Sequence, residues 1–232
     1  MIVTIHQPEY LPYLGFFDRI IESDVFVILD HVQFQKSGFI HRNKIKTHNG
    51  WRWLTVTVDS KMKNMPINTV KIKNESGWSS EHYKLLKIYY QKAPFFEQYE
   101  QLLQDIYNRE WEYIVDLDIY LLERLLAVLG IKTKLYRSSE LDLAKESEDW
   151  NIDICKKLNG NTYLSGPGGK LYMDMEKYKK ADIKTTFRDF IHPEYNQLYM
   201  NESGFVPYMS ILDLLLNHGE GSLKIIQKSC AK

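Results

Sequence analysis

The sequence is poor in cysteine, has no excess of charge of either sign, and has no long apolar run. Its two cysteines, Cys155 and Cys230, are too few for a disulfide framework, and neither falls in a metal-ligand spacing. Lys and Arg number 30, and Asp and Glu number 30. No net field therefore draws the chain to duplex DNA or anionic lipid, although a local basic patch is compatible with the balance. No uncharged run reaches about 18 residues, and no basic start precedes an apolar stretch, so a cytoplasmic protein without membrane insertion is expected. HExxH, GxSxG, paired zinc ligands and an EF-hand loop are all missing, so no metal ligands are assigned. Repeats, low-complexity tracts and linkers are missing too, which predicts one domain over residues 1–232. What is present in quantity is the aromatic ring on a polar handle: 16 tyrosines and 5 tryptophans. Such rings stack on sugars and bases, and they also fill cores.

Hydrophobic patterning predicts an α/β fold. Residues 1–5 and VFVILD, 25–30, are continuous apolar runs, the mark of strands buried on both faces of a parallel sheet. Between them, Leu14, Phe17, Ile20 and Ile21 follow helical spacing, giving a right-handed βαβ unit. WRWLTVTVD (51–59), after the turn THNG, and NTVKIK (68–73) alternate as strands do. Helices are predicted from a Ser79 or Ser80 cap to Tyr90, from Pro94 through Tyr107, and from about Glu112 to Leu129 with Gly130 as a left-handed stop. IKTKLY (131–136) is a short strand. Ser147 caps a helix ended by Asn159-Gly160, with Cys155 on its apolar side as a buried thiol. TYLS (162–165) and ADIKTTF (181–187) are strands. Helices from Ser210 to Asn217 and from Ser222 to Lys228 close the chain, with Ser210 and Asp213 in a capping arrangement. The expectation is a mostly parallel sheet flanked by helices, with a helical insertion near 78–130.

In parallel sheets, ligands bind at the carboxyl ends of strands. Three candidate strands end in distinctive chemistry: His6-Gln7-Pro8, Asp30-His31-Val32-Gln33, and Ser165-Gly166-Pro167-Gly168-Gly169-Lys170. A shared crevice would gather two histidines, a carboxylate, two amides, a hydroxyl and a glycine loop, which points to an enzyme. Each piece also has a structural reading. His6 suits a core histidine as well as a base, and Tyr10 and Tyr13 suit packing as well as stacking. Gly15 suits close helix contact as well as approach of a phosphate, and Asp18 reads as a solvated helix-surface residue. SGPGGK matches neither GxxxxGK[ST] nor GxGxxG, so it reads equally as an anion cradle through Gly166, Gly168 and Lys170 or as a flexible turn. Arg42, with Asn43 and Lys44 beside it, suits a phosphate or carboxylate grip as well as a turn before the next strand. Tyr195 and Gln197, in YNQ, complete the candidates.

HQPEYLPYLGFFDRI, DVFVILDHVQFQ, RNKIKTHNGWRWLTVTV, YLSGPGGKLYM, YNQ and FVPYMSILDLLLNHG together resemble the WbqC-like family, from residue 3 to about 219. That resemblance implies a role in O-antigen or other surface polysaccharide biosynthesis. It implies transfer of an amino acid, glycine in particular, to the amine of a nucleotide-linked amino sugar. It brings no catalytic residue. For amide formation, His6 is the candidate base, with Asp30 to orient it or to bind the amine. Arg42, Lys170 and the 166–169 backbone are the candidate phosphate holders, and Tyr10, Tyr13 and Trp51 the stacking rings. Gln7, Gln33, Asn43 and Ser165 are further substrate contacts. The donor stays open between ATP with Mg, an aminoacyl-tRNA and a thioester. The loops after the first and a late strand loosely resemble adenylyltransferase-type nucleotide-binding folds, without their HxGH-type signature. Rival readings are a nucleotidyl or phosphoryl transferase and a non-catalytic nucleotide-sugar-binding protein.

Overall fold

The structure is a computed structural model that describes residues 1–62, 64–144, 147 and 149–228; Cys230 lies outside the described residues. Five strands form one wholly parallel sheet: β1 (Ile2–His6), β2 (Val25–Ile28), β5 (Lys134–Arg137), β6 (Thr162–Ser165) and β7 (Lys184–Phe187). Their order across the sheet is β5-β2-β1-β6-β7. The chain therefore builds outward from β1 in one direction and then in the other, and the order reverses between β1 and β6. A crevice opens beyond the carboxyl ends of strands at such a reversal.

The continuous apolar runs have the predicted cause. All four residues of β2 are buried, with Phe26 and Ile28 in one core and Val25 and Val27 in the other. The larger core lies under α1 (Leu14–Ile21) and a helical lobe of α2 (Trp78–Tyr90), α3 (Phe96–Tyr107) and α4 (Ile114–Leu129). The smaller core packs Val3 and Ile5 against α5 (Trp150–Lys157) and Tyr178 of α6 (Met175–Lys180). Cys155 sits wholly buried there, and burial pushes its thiol up to about 12. Gly130 ends α4 at φ 71°, a left-handed stop. Two helices follow the sheet, α8 (Ile211–His218) and α9 (Ser222–Lys228), after a short α7 (Met200–Ser203). Among the described residues no helix is long and apolar enough to cross a membrane.

Several local expectations are corrected. Arg42–Thr47, read as a possible turn, is strand β3, paired antiparallel with β4 (Gly50–Thr55) in a separate hairpin. NTVKIK is no strand: it holds a 3-10 turn and single bridges to Val58 and Tyr113. Helix α2 starts at Trp78, before either serine, after a left-handed Gly77. Asp149, not Ser147, caps α5, accepting from the amides of Asn151 and Ile152. Ser210 makes no side-chain cap, because Asp213 turns inward to other partners.

Candidate functional site

The loop from β1 to α1 is fixed from several sides. Leu11 lies between two prolines, wholly buried at φ 47°, a left-handed conformation costing roughly 1–2 kcal/mol for such a residue. Asn43 of β3 holds it there, its amide donating to the Leu11 carbonyl at 2.7 Å while its own oxygen accepts the Lys44 amide. The Tyr10 amide bonds the Phe39 carbonyl, and its hydroxyl meets Tyr107 at 2.7 Å and His82 Nδ1 at 2.9 Å. Tyr13 bridges to Ser210 at the start of α8. Strain held by neighbours in this way marks a segment whose shape is used.

Two cavities open at the reversal point. The larger, about 520 Å³, is walled by His6, Gln7, Pro8, Glu9, Phe39 and Lys44, among others. The smaller, about 250 Å³, is walled by Gly15, Ser165, the 166–169 backbone and Tyr172. His6, Tyr13 and Arg19 line both, so they form the waist of one two-lobed cleft. Glycines make the waist possible. A Cβ on Gly15 would stand 2.6 Å from the Tyr13 ring, so the missing side chain is the space that ring occupies. A Cβ on Gly169 would meet Ser165 Oγ. That folds the glycine loop flat against the end of β6.

The waist is electrostatically unfinished. His6 Nδ1 lies 2.9 Å from the Gln7 carbonyl, the geometry of an Nδ1–H donor, which leaves the lone pair on Nε2. A third of the side chain is open, but onto the cavity rather than the outer surface. Desolvation by the surrounding protein first, then the Arg19 guanidinium, push its pKa down to about 3. Glu9 is buried, with Oε1 3.7 Å from His6 Nδ1 and Oε2 without a hydrogen-bond partner among the described residues. Burial pushes its carboxyl up to about 7, against the opposing pull of Arg19. Arg19 has no hydrogen bond or ion pair among the described residues. Its neighbour Asp18 is bound through both oxygens by Arg188, at 2.7 and 2.9 Å. One helix thus presents a neutralised carboxylate and an unneutralised guanidinium side by side.

Of the residues singled out from sequence, the cleft collects His6, Gln7, Tyr13, Gly15, Ser165, Gly166 and Gly168. The others stand elsewhere. Asp30 cannot orient His6, because its carboxylate accepts four bonds, from Arg137, Ser138 and twice from Ser139. Tyr10 is wholly buried, so it stacks on protein and not on a ligand. Arg42 holds the Ser37 and Gly38 carbonyls, and Asn43 holds the Leu11 carbonyl. Gln33 pairs with Pro66. Lys170 faces Asp189 at 3.5 Å on the surface. Trp51 is exposed on β4 outside the cleft. Tyr195 and Gln197 donate to the buried Asp213 carboxylate, which also accepts Tyr90. Glu9, Arg19 and Tyr208, lining the larger lobe, escaped the sequence reading, while Lys44, singled out there beside Arg42 and Asn43, also lines it. The spacing Gly15 to Arg19, one turn of α1, was the available signal for the guanidinium. Asp18 is corrected from a solvated residue to a buried ion-pair partner.

The WbqC-like protein family model matches residues 7–225. An uncharacterised protein of Mycobacterium tuberculosis, Rv1507c, is 32% identical over 219 residues, covering 94% of each chain. No solved structure matches the chain.

Proposed function

The chain belongs to the WbqC-like family, and from that premise we propose an aminoacyl transferase, a glycine transferase in particular. It acts on the amine of a nucleotide-linked amino sugar for surface polysaccharide, in the cytoplasm. One observation carries the reading: the lobes meet at the side chains of His6, Tyr13 and Arg19. A transfer between two substrates needs their reacting atoms at one point, each held by its own pocket. The amino sugar occupies the smaller lobe against Tyr13, Tyr172 and the 166–169 backbone. The activated carboxyl group reaches the waist beside Arg19 from the larger lobe, past Phe39 and Lys44.

The amine attacks the acyl carbon, the C–N bond forms, and the bond to the leaving group breaks. His6 Nε2 accepts the amine proton and returns it to the leaving group. A base held near pKa 3 is weak, so its proton affinity must rise during turnover. Two events raise it: a ligand anion neutralising Arg19, and ionisation of Glu9 next to Nδ1. The rate therefore climbs with pH through about 7, where Glu9 ionises. The test is incubation with nucleotide-linked amino sugars, ATP and Mg, aminoacyl donors and amino acids, read by mass spectrometry for one added aminoacyl group. His6→Ala should abolish that product while the melting temperature stays within a few degrees. No product with any combination, or full activity in His6→Ala, removes the proposal.

A further inference from the structure

The β3–β4 hairpin carries a surface that the chemistry at the waist leaves unused. Residues 31–58 contain five basic side chains (Lys36, Arg42, Lys44, Lys46 and Arg52) and no Asp or Glu, in a chain whose charges otherwise balance. The antiparallel register, with Lys44 opposite Trp53, puts its ammonium on one face with the indoles of Trp51 and Trp53, while Lys46 on that side is buried against Gln197 and Gly204. The Arg42 guanidinium lies 4.5 Å over Trp53, and the Lys44 ammonium lies 4.6 Å over Trp51. Phe39 extends the row, 5.9 Å from Trp53. Phe39 and Trp51 are 42% and 45% exposed, an unusual outlay of ring surface to solvent. Lys44 Nζ has no hydrogen bond or ion pair among the described residues. The row is continuous with the cleft, because Phe39 and Lys44 also wall the larger lobe.

We propose that this row binds the single-stranded 3′ end of an RNA and leads its terminal ribose to His6. The inference rests on the transfer reading above and names its donor: an aminoacyl ester on that ribose. The ester C–O bond breaks as the amide C–N bond forms, and the ribose hydroxyl leaves with the proton His6 took from the amine. No further co-reactant is needed. Alternating cations and rings match a ligand that alternates phosphates and bases. A phosphate draws Lys44 off the Trp51 face, which frees that face for a base, while Arg42, held by the Ser37 and Gly38 carbonyls, keeps Trp53 in place. A neutral sugar chain offers nothing to displace the cations. From the Arg42 rung to the Lys46 rung the strand rises about 13 Å, longer than one nucleotide. A duplex would bury its base faces and gain only the charge.

The direct test is fluorescence anisotropy of a short labelled single-stranded RNA ending in a free 3′ ribose. The same RNA as a duplex, a mononucleotide, and phosphatidylserine vesicles are the comparators. The single strand should bind with a salt-dependent constant, at least about tenfold tighter than the duplex or the mononucleotide. Trp51→Ala should weaken it about tenfold with an unchanged melting temperature, and Lys44→Ala should lower the salt slope by roughly one. No binding, equal affinity for the duplex or the mononucleotide, an unaffected Trp51→Ala, or binding to vesicles alone each overturns the proposal. The assay needs no turnover, so its outcome is separable from the transfer reading. RNA binding without aminoacyl transfer from any donor sinks the transfer and leaves the row; transfer from ATP and free amino acid without RNA binding does the reverse.

Discussion

The ends of β1 and β2 lie side by side in the sheet and carry similar chemistry. His6 and Glu9 follow one strand; Asp30 and His31 follow the other. Their fates differ. The Asp30 carboxylate accepts four hydrogen bonds, the one from Arg137 also an ion pair, tying the end of β2 to the end of β5 and the segment after it. His31 Nδ1 meets Ser138 in the same cluster. At the end of β1, among the described residues, Glu9 keeps an oxygen without a hydrogen-bond partner and Arg19 makes no ion pair, while His6 faces an open lobe. The residue types present do not tell a site from a structural cluster. Whether their hydrogen-bonding capacity is already spent does.

The contrast breaks most easily at its saturated side. Asp30→Ala leaves Arg137, Ser138 and Ser139 facing an empty place, and removing one partner of a buried ion pair costs about 3–5 kcal/mol. Urea unfolding should show a loss of that size. A loss below about 1 kcal/mol would mean the cluster does not hold the sheet ends together. The same measurement on Glu9→Gln should move the other way. The Glu9 carboxyl is raised from 4.5 to about 7, so between those values the folded protein holds a proton that the unfolded chain has released. Stability from this group is complete at low pH and is lost as pH rises to 7. Removing the ionisation should therefore stabilise the protein at pH 8, by at most about 3 kcal/mol. His6, lowered to about 3, and His41 and His82, lowered to about 4, act oppositely, since the unfolded chain binds their protons first as pH falls below 6.5. Three histidines against one carboxyl make wild-type stability fall on acidification from pH 6.5 to 4.5, with Glu9 offsetting part of the loss. Glu9→Gln should lose stability more steeply than wild type across that window, by about 1.4 kcal/mol per pH unit. Parallel profiles for the two proteins would remove the unspent carboxylate from the comparison.

Much of this arrangement was legible in sequence, for a local reason. β6 matches its predicted bounds, and the parallel arrangement follows from runs too apolar for a half-exposed sheet. The first loop announced itself through His6, Gln7 and two prolines. β3 did not, because RNKIKT reads as polar. Its buried members, Asn43 and Lys46, are satisfied by Leu11, Gln197 and Gly204, partners far away in the chain. NTVKIK misled because its alternation serves single bridges rather than a ladder. The hardest distinction was between Asp18 and Arg19. They are adjacent on one helix, and the guanidinium that claims Asp18 arrives from just after β7, 170 residues later. Nothing local says which of the two charges is spent.

That pair supplies the prediction with the smallest effect on stability. Among the described residues Arg19 has no hydrogen-bond or ion-pair partner that its loss would orphan, so Arg19→Met should change the unfolding free energy by no more than about 0.5 kcal/mol. Arg188→Met is the control: it strands the buried Asp18 carboxylate and should cost several times more. The charge of Arg19 should show instead in its neighbours' titrations, followed by NMR of the His6 ring and the Glu9 carboxyl. Because Arg19 lowers both groups, both should titrate higher in Arg19→Met, with His6 still below 6.5, since burial is the larger cause of its shift. Equal destabilisation by the two arginine variants would show that the fold depends on Arg19 no less than on Arg188. The waist would then hold no spare charge to offer a substrate, and the reason for preferring the end of β1 over the end of β2 would disappear.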